Sequence, residues 1–458
     1  MPSLKTYEAP RIRQLSVGPA GKHRLIDVTT VGQRTYLFDP KKIIAKYGSP
    51  LFVVSENTLR ENYRGFFKAF QKDDINAVVG YSYKTNYLPA ICSVMAEEGA
   101  LAEVVSGMEY KLARSLGVNG RDIIFNGPYK THQELCDAIY DGALINIDGF
   151  DDLGSVEAAC NVVKRDARIG LRINFHANNQ FNWSKFGFSL EHGEAEEAIV
   201  RVANNSRLKL EALHNHSGTF HVDPAVYTLA IRALAKVARI ARREGLNPNV
   251  IDLGGGFPSQ NALNDAFSSP SAFAPEGDRV DEFAAVILKA IKSSRGAFGP
   301  NPTLILEPGR AIVDSAVQLI CSVVATKQEG GTGRSIVVDA GVNILPTAYW
   351  YDHNLSVPDE TVHLGLSPTR VYGPLCMQID ILRDNVPLPE LSVGDNIVID
   401  NVGAYCITQS MQFIQPRPAV VLLDDKGKSS VIRKREDWRD VFRLDSVPNR
   451  LRQDGYEF

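Results

Sequence analysis

From residue 78 onward the chain alternates two hydrophobic rhythms. Short apolar, β-branched-rich runs at 78–83, 101–105, 122–125, 143–147, 168–173, 210–214, 249–253 and 303–306 read as eight strands. Between them, at 90–98, 108–116, 132–140, 152–163, 194–202, 227–243 and 280–293, apolar residues recur at helical spacing; Val156, Ala159, Cys160 and Val163 form one such stripe. An amphipathic helix at 59–70, introduced by the apolar run 50–54, precedes the first strand. Strands and helices in alternation predict parallel βαβ units, and eight of them predict a closed (β/α)8 barrel over 46–310. An open doubly wound sheet is the alternative, because strand order is invisible in sequence. After 310 the rhythm changes to short strand-like runs at 316–325, 335–339, 371–376, 396–399 and 420–423, separated by Gly, Pro and Asn/Asp turns. That pattern predicts a second, all-β domain over 311–458. Residues 1–45 read as a polar arm followed by strands at 25–28 and 35–38, expected to pack with that second domain. The stretch 258–279, rich in Pro, Ser, Asn and Ala, reads as a long surface loop.

Composition narrows the function classes. With 44% hydrophobic and 22% charged residues in 458, the chain has ample material for two cores. A net charge of −3 argues against nucleic acid or an anionic membrane as partner. No apolar run approaches the roughly 20 residues of a membrane span, and the N-terminus lacks a signal-peptide core. Six cysteines without paired metal-ligand spacing point to free thiols, no metal site and a cytoplasmic, reducing compartment.

In a barrel, chemistry sits at the C-terminal ends of the strands. Lys84 follows the first strand, Glu103, Val105 and Ser106 end the second, and Arg172 and Asn174 end the fifth. His214 to Thr219 follow the sixth, Gly254 to Pro258 the seventh, and Glu307 to Arg310 the eighth. A lysine so placed can be desolvated, lose its proton near neutral pH and form a Schiff base with a carbonyl, although most strand-end lysines are solvated charges. Gly254, Gly255 and Gly256 let backbone N–H groups converge on an anion, and Arg310 stands after the next strand, where barrels often bind phosphate. Thr219 offers a hydroxyl to the same group. Glu307, a surface acid in isolation, can here pair with a protonated pyridine nitrogen. His216 can be a hydrogen-bonded interior histidine or an imidazole stacked on a cofactor ring. Together these residues imply pyridoxal 5′-phosphate (PLP).

The motifs Tyr83-Lys84-Thr85-Asn86, His216-Ser217-Gly218-Thr219, Gly254-Gly255-Gly256-Phe257-Pro258, Glu307-Pro308-Gly309-Arg310, Gly373-Pro374-Leu375-Cys376 and Gly403-Ala404-Tyr405 occur in this order. The set, spanning about 50 to 415, resembles the fold-type III PLP-dependent decarboxylases, which include the diaminopimelate and ornithine decarboxylases. The resemblance implies an alanine-racemase-like barrel with a β domain, joined by N-terminal strands, in a head-to-tail homodimer whose sites lie at the interface. It implies that Lys84 holds PLP, Glu307 faces the pyridine nitrogen and His216 stacks on the ring. Thr219, Gly254, Gly255, Gly256, Gly309 and Arg310 then belong to the phosphate end. Cys376 and Tyr405 would come from the partner subunit, Cys376 as the acid that reprotonates the substrate carbon once CO2 has left. Cys92, Cys136, Cys160 and Cys321 read as inert core residues. Ser184-Lys185-Phe186-Gly187 and Asp380 resemble positions that form an intersubunit salt bridge in ornithine decarboxylases; two unrelated solvated charges are the alternative.

The sequence departs from the pattern where the substrate's far end is recognised. The family carries Glu or Asp after the cysteine; here Met377 and Gln378 follow. The family's Arg before Pro-Ala-Leu-Tyr is missing from Leu345-Pro346-Thr347-Ala348-Tyr349, which keeps the tyrosine. A thioether cannot pair with an ammonium. Arg310, Tyr349, Cys376, Met377, Gln378 and Tyr405 are therefore the expected substrate contacts of an α-decarboxylase for an acyl-, carrier- or citryl-linked amino acid, as in siderophore and antibiotic pathways. The alternative is diaminopimelate or a basic amino acid (ornithine, lysine or arginine), with Asp352 or Glu360 holding the distal charge. An amino-acid racemase and an inactive regulatory homologue complete the expectations.

Overall fold

The computed structural model describes residues 38–452 apart from 73–74, 176–184, 265–278, 330–332 and 359–365, together with the backbone of a hairpin, Gln14–Val17 against His23–Ile26. Eight parallel strands, Asn76–Ser82, Leu101–Val104, Ile123–Phe125, Leu144–Ile147, Ala167–Asn174, Leu208–His214, Val250–Asp252 and Thr303–Leu306, pair in chain order. The last returns to the first, Leu306 beside Val79, so the barrel is closed and the open sheet is excluded. Helices cross back along the outside. Glu56–Phe70, for example, is capped by the Ser55 hydroxyl and buries Leu59, Tyr63, Phe66 and Phe70 against the barrel.

Strand period two decides what fills the barrel. Leu101, Ile124, Leu144, Ala212, Val250 and Ile305 pack together inside it as an apolar layer. Gly80 and Gly170 complete that layer, since a Cβ on either would lie 3.1 Å from Ile124 or Ala212 respectively. Two residues further along, the same eight strands contribute Ser82, Glu103, Asn126, Asn146, Arg172, His214, Asp252 and Glu307, all buried. The barrel thus has an apolar floor and a polar ceiling, and the ceiling faces the strands' C-terminal ends.

The C-terminal part is a largely antiparallel sheet built on the long strand Val317–Glu329, which pairs with Gly333–Val338, Asn396–Ile399 and Leu51–Ser55. Leu51–Ser55 also pairs in parallel with Ala419–Leu423. An early segment therefore does enter the C-terminal sheet, but it is Leu51–Ser55, just before the first barrel helix. The hairpin forms a separate two-stranded sheet, and the expected strand at 35–38 lies mostly outside the described residues. Helix Pro40–Tyr47 covers the sheet, with Ile43 packed on Leu51, Val53, Ile320, Val398 and Val421. Among the described residues no helix is long and apolar enough to cross a membrane.

Candidate active site

Seven of the eight ceiling residues form one hydrogen-bond network, and the eighth, Arg172, pairs with Asp148. Glu103 accepts from the Ser82 hydroxyl, from Asn126 Nδ2 at 2.9 Å and from Lys84 Nζ at 2.7 Å. Asn126 Nδ2 also donates to Glu307 Oε1 at 2.7 Å, and Asn146 Nδ2 donates to Asn126 Oδ1 at 2.7 Å and to Asp252 Oδ2 at 2.9 Å. His214 Nδ1 stands 2.9 Å from Asp252 Oδ2, and Arg172 Nη1 donates to Asp148 Oδ1 at 3.1 Å. So many polar groups are tolerable inside a barrel because nearly all are held by their neighbours; Asn146 Oδ1 has no partner among the described residues.

Lys84 stands in the 3-10 turn Tyr83–Thr85, directly above this layer. Burial alone would lower its pKa. Burial is the largest single influence, but Glu103, Tyr405 and Glu307 together overcome it, and the amine is held well above the usual lysine value. The sequence predicts a lysine that can lose its proton near neutral pH; beside the buried Glu103 the charged form of the amine is favoured. Glu307 behaves oppositely. Burial, and after it the charges of Asp252 and Glu103, push its carboxyl well above the ordinary range against the opposing pull of Lys84 and Asn126.

Glu109, close by, is pushed up to about 7 by burial, against a hydrogen bond of 2.7 Å from the Val105 N–H. A carboxyl raised in the fold stabilises it while protonated, and that contribution is lost as pH rises from the unfolded value of about 4.3 through 7. Glu109→Gln is therefore expected to gain stability relative to wild type between pH 5 and pH 8, by up to about 1.4 kcal/mol per pH unit below the folded pKa. Urea unfolding at the two pH values checks this.

The loops after the sixth, seventh and eighth strands form the opposite end of the site. Gly254 and Gly256 take positive φ of 61° and 97°, and a Cβ on either would lie within 2.7 Å of His216 Nδ1 or 2.6 Å of the His221 ring. Only glycine allows this approach. His216 Nδ1 accepts from the Gly255 N–H at 3.0 Å. Burial, then the nearby Lys84 and Arg172 charges, hold its pKa well below the usual value, so the imidazole is neutral. Gly309 packs directly on the Thr85 side chain. Arg310 is buried, its guanidinium 4.7 Å from the Tyr351 ring centre, 5.1 Å from Tyr405 and 5.7 Å from Phe220. Its Nε and Nη1 have no hydrogen-bond partner among the described residues, and Nη1 stands 3.8 Å from the buried Asp314 Oδ2. A buried donor without a hydrogen bond costs about 1–3 kcal/mol, which an anion placed there would recover.

The family described as pyridoxal-dependent decarboxylase, pyridoxal binding domain, matches residues 56–314. The chain belongs to the PLP-dependent decarboxylases. A diaminopimelate decarboxylase from Methanothermobacter thermautotrophicus is 31% identical, over 90% of this chain and 95% of its own length. Diaminopimelate decarboxylase from M. jannaschii in complex with L-lysine superposes with a TM-score of 0.80 at 27% identity, covering 90% of this chain and 95% of that one. The enzyme from Helicobacter pylori, also complexed with L-lysine, gives 0.76 at 27% identity over 88% and 98%. The fold is thus that of the alanine-racemase-like decarboxylases, the cofactor is PLP and the reaction class is amino-acid decarboxylation.

The residues present fit PLP in this decarboxylase. Arg310 and the glycine turns suit its phosphate, the buried Glu307 carboxyl suits a cationic ring nitrogen, and Lys84 is a buried amine on which Glu307 acts. Thr219 is exposed beside buried Phe220. Tyr405 corrects one expectation. It does not have to come from a partner, because its ring lies against Arg310 of its own chain and its N–H donates to Thr85 O at 2.9 Å. Cys376 and Gln378 are exposed and Met377 half-buried, in the turn that follows strand Ser367–Tyr372 of the C-terminal part, and Tyr349 is 53% exposed. Asp380 is buried, its carboxylate accepts from Val342 N at 2.8 Å and from Leu375 N at 2.7 Å, and it shapes the Cys376 turn. Ser184 and Glu360 lie outside the described residues. Sequence reasoning gave no role to Glu103, Asn126, Asn146 or Asp252, the four residues that tie the ceiling together.

Proposed function

We propose that this decarboxylase removes a carboxylate from diaminopimelate, forming lysine, at sites shared between two copies of the chain. The observation that carries the substrate is the likeness to diaminopimelate decarboxylases over nine-tenths of the chain, including one solved with L-lysine. It favours diaminopimelate over the conjugated amino acid that Met377 suggests from sequence. A second reading rests on Met377 and Gln378 themselves: without a carboxylate at this turn, a substrate whose tail carries no ammonium there is also accommodated.

PLP bound here supplies a carbonyl for the substrate's amine and a ring that takes up the electron pair as CO2 leaves. Lys84 must first give up a proton, and Glu103 Oε2, at 2.7 Å, is in place to take it. Glu307, fixed by Asn126, holds a proton at the ring nitrogen. His216 stays uncharged and so adds no competing cation. Arg310 anchors the phosphate and excludes water from it. Cys376 Sγ delivers a proton to the carbon that has lost CO2.

The shared site is supported by the surface around Cys376. Val342 and Leu375 meet on Asp380, and Met411 N donates to Asn343 O at 2.9 Å, so the loops carrying Tyr349, Trp350, Ile379, Met411, Phe413 and Ile414 adjoin. All six side chains are exposed hydrophobics, Ile379 at 62%, as expected of a face covered by a second copy. Cys376→Ala is expected to lower turnover roughly 10²-fold or more, the usual contribution of a general acid, without loosening PLP. Mixing it with Lys84→Ala and re-forming dimers is expected to restore activity that neither variant has alone. No restoration would contradict the shared site. The substrate is tested by mass spectrometry of the PLP-loaded protein incubated separately with meso-diaminopimelate, lysine, ornithine, arginine and a citryl-diaminopropionate. Lysine from diaminopimelate is the expected product, and turnover of the conjugate alone would overturn the proposal.

A further inference from the structure

The Pro346–Tyr349 turn carries Tyr349 on the substrate side, and a buried polar chain beneath it has no role in the mechanism above. Thr347 and His353 are buried, and so is Cys406. The Thr347 hydroxyl lies 2.9 Å from His353 Nε2 and 2.9 Å from Cys406 Sγ, while His353 Nδ1 lies 3.2 Å from Asp400 O. A carbonyl can only accept, so His353 carries its proton on Nδ1 and donates it to Asp400 O. Burial, then the Arg383 and Arg310 charges, hold the ring's pKa at about 3, so it is neutral and Nε2 is an acceptor. The Thr347 hydroxyl must then donate to Nε2, which leaves its oxygen as an acceptor for the Cys406 thiol, whose other acceptor is Ala404 O at 3.8 Å.

This chain spans the two parts of the site. Cys406 adjoins Tyr405, which lies against Arg310, and His353 is two residues beyond Tyr351, another of the rings against Arg310. At its other end the same segment is pinned by Asp380, which binds Val342 N and shapes the Cys376 turn. Threonine in an apolar core costs a polar group unless the hydroxyl is used, and valine would fill the same volume. We infer that Thr347 is a positioning residue, whose hydroxyl fixes the Tyr349 turn against the phosphate end of the site and so sets how tightly substrate is held. The inference rests on the proposed substrate site in one respect only, that Tyr349 faces substrate.

Thr347→Val and Thr347→Ser test it on the full-length, PLP-loaded protein. Valine leaves the buried Nε2 without a donor, and KM for meso-diaminopimelate is expected to rise about tenfold. Over the same comparison kcat and PLP affinity stay within about twofold, and serine returns KM to the wild-type value. Hydrogen exchange supplies a readout independent of activity. The Ala348 and Trp350 amides, which donate to Leu345 O at 3.1 Å and Thr347 O at 2.9 Å, are expected to exchange faster in the valine variant alone. Unchanged KM and exchange, an equal loss in PLP affinity and kcat, or failure of serine to restore would each overturn the assignment. If the wild-type protein decarboxylates nothing in the substrate panel, the proposed function falls by itself. The exchange of these two amides then decides the positioning role, local acceleration reversed by serine upholding it and unchanged exchange refuting it.

Discussion

Lys84→Ala is expected to release PLP on dialysis and to lower CO2 formation on the order of 10⁴-fold, the scale seen when a nucleophile is removed from a group of residues acting as a unit. The amine is the one that the structure places beside Glu103, with Glu307 and Tyr405 acting on its charge. Lys130, another buried amine near the strand ends, is no substitute. Its Nζ is committed to Gly127 O at 2.8 Å, Asn146 O at 3.0 Å and Asp152 Oδ2 at 2.8 Å. Absorbance of the dialysed protein and assay of CO2 together check the expectation. A variant that stayed coloured and active would show that another residue holds the cofactor.

Glu307→Gln is expected to cost roughly 10²–10³-fold in turnover while leaving PLP bound. Glutamine keeps the shape and an oxygen for the Asn126 hydrogen bond, now 2.7 Å, but can neither carry a charge nor hold a proton for the ring nitrogen. Because burial disfavours the ionised Glu307, removing it should not destabilise the cofactor-free protein. A loss of turnover with an unchanged or raised melting temperature would separate the chemical role from a structural one. Turnover equal to wild type would remove Glu307 from the mechanism.

How much of this was legible in the sequence follows from period and distance. The barrel was legible because eight short apolar runs alternate with helical stripes, and each run is local. The motifs around Lys84, His216, Gly254–Gly256, Glu307 and Arg310 were legible because they follow those strands. The ceiling was harder. Glu103 interrupts Leu101-Ala102-Glu103-Val104, Asn146 interrupts Leu144-Ile145-Asn146-Ile147, and Asp252 ends Val250-Ile251-Asp252. One polar residue in an apolar run is a signal of a buried polar group, but only closure of the barrel shows that His214, Asp252 and Glu307 bring their ligand atoms within 4.8 Å of one another. Tyr405 against Arg310, and Leu51–Ser55 in the C-terminal sheet, are long-range contacts with no local trace. Strand Ile381–Leu388 was not read because Arg383, Asp384 and Asn385 break its apolar pattern, and Asn385 takes a positive φ of 51°.

The most direct test of the central claim is the reaction run in D2O with PLP-loaded protein and meso-diaminopimelate. An α-decarboxylase replaces CO2 with one proton from an exchangeable group such as the Cys376 thiol, so the expected result is lysine carrying a single non-exchanging deuterium, with one CO2 released per lysine. Diaminopimelate recovered with deuterium on its α-carbon and no CO2 would show a racemase and contradict the account.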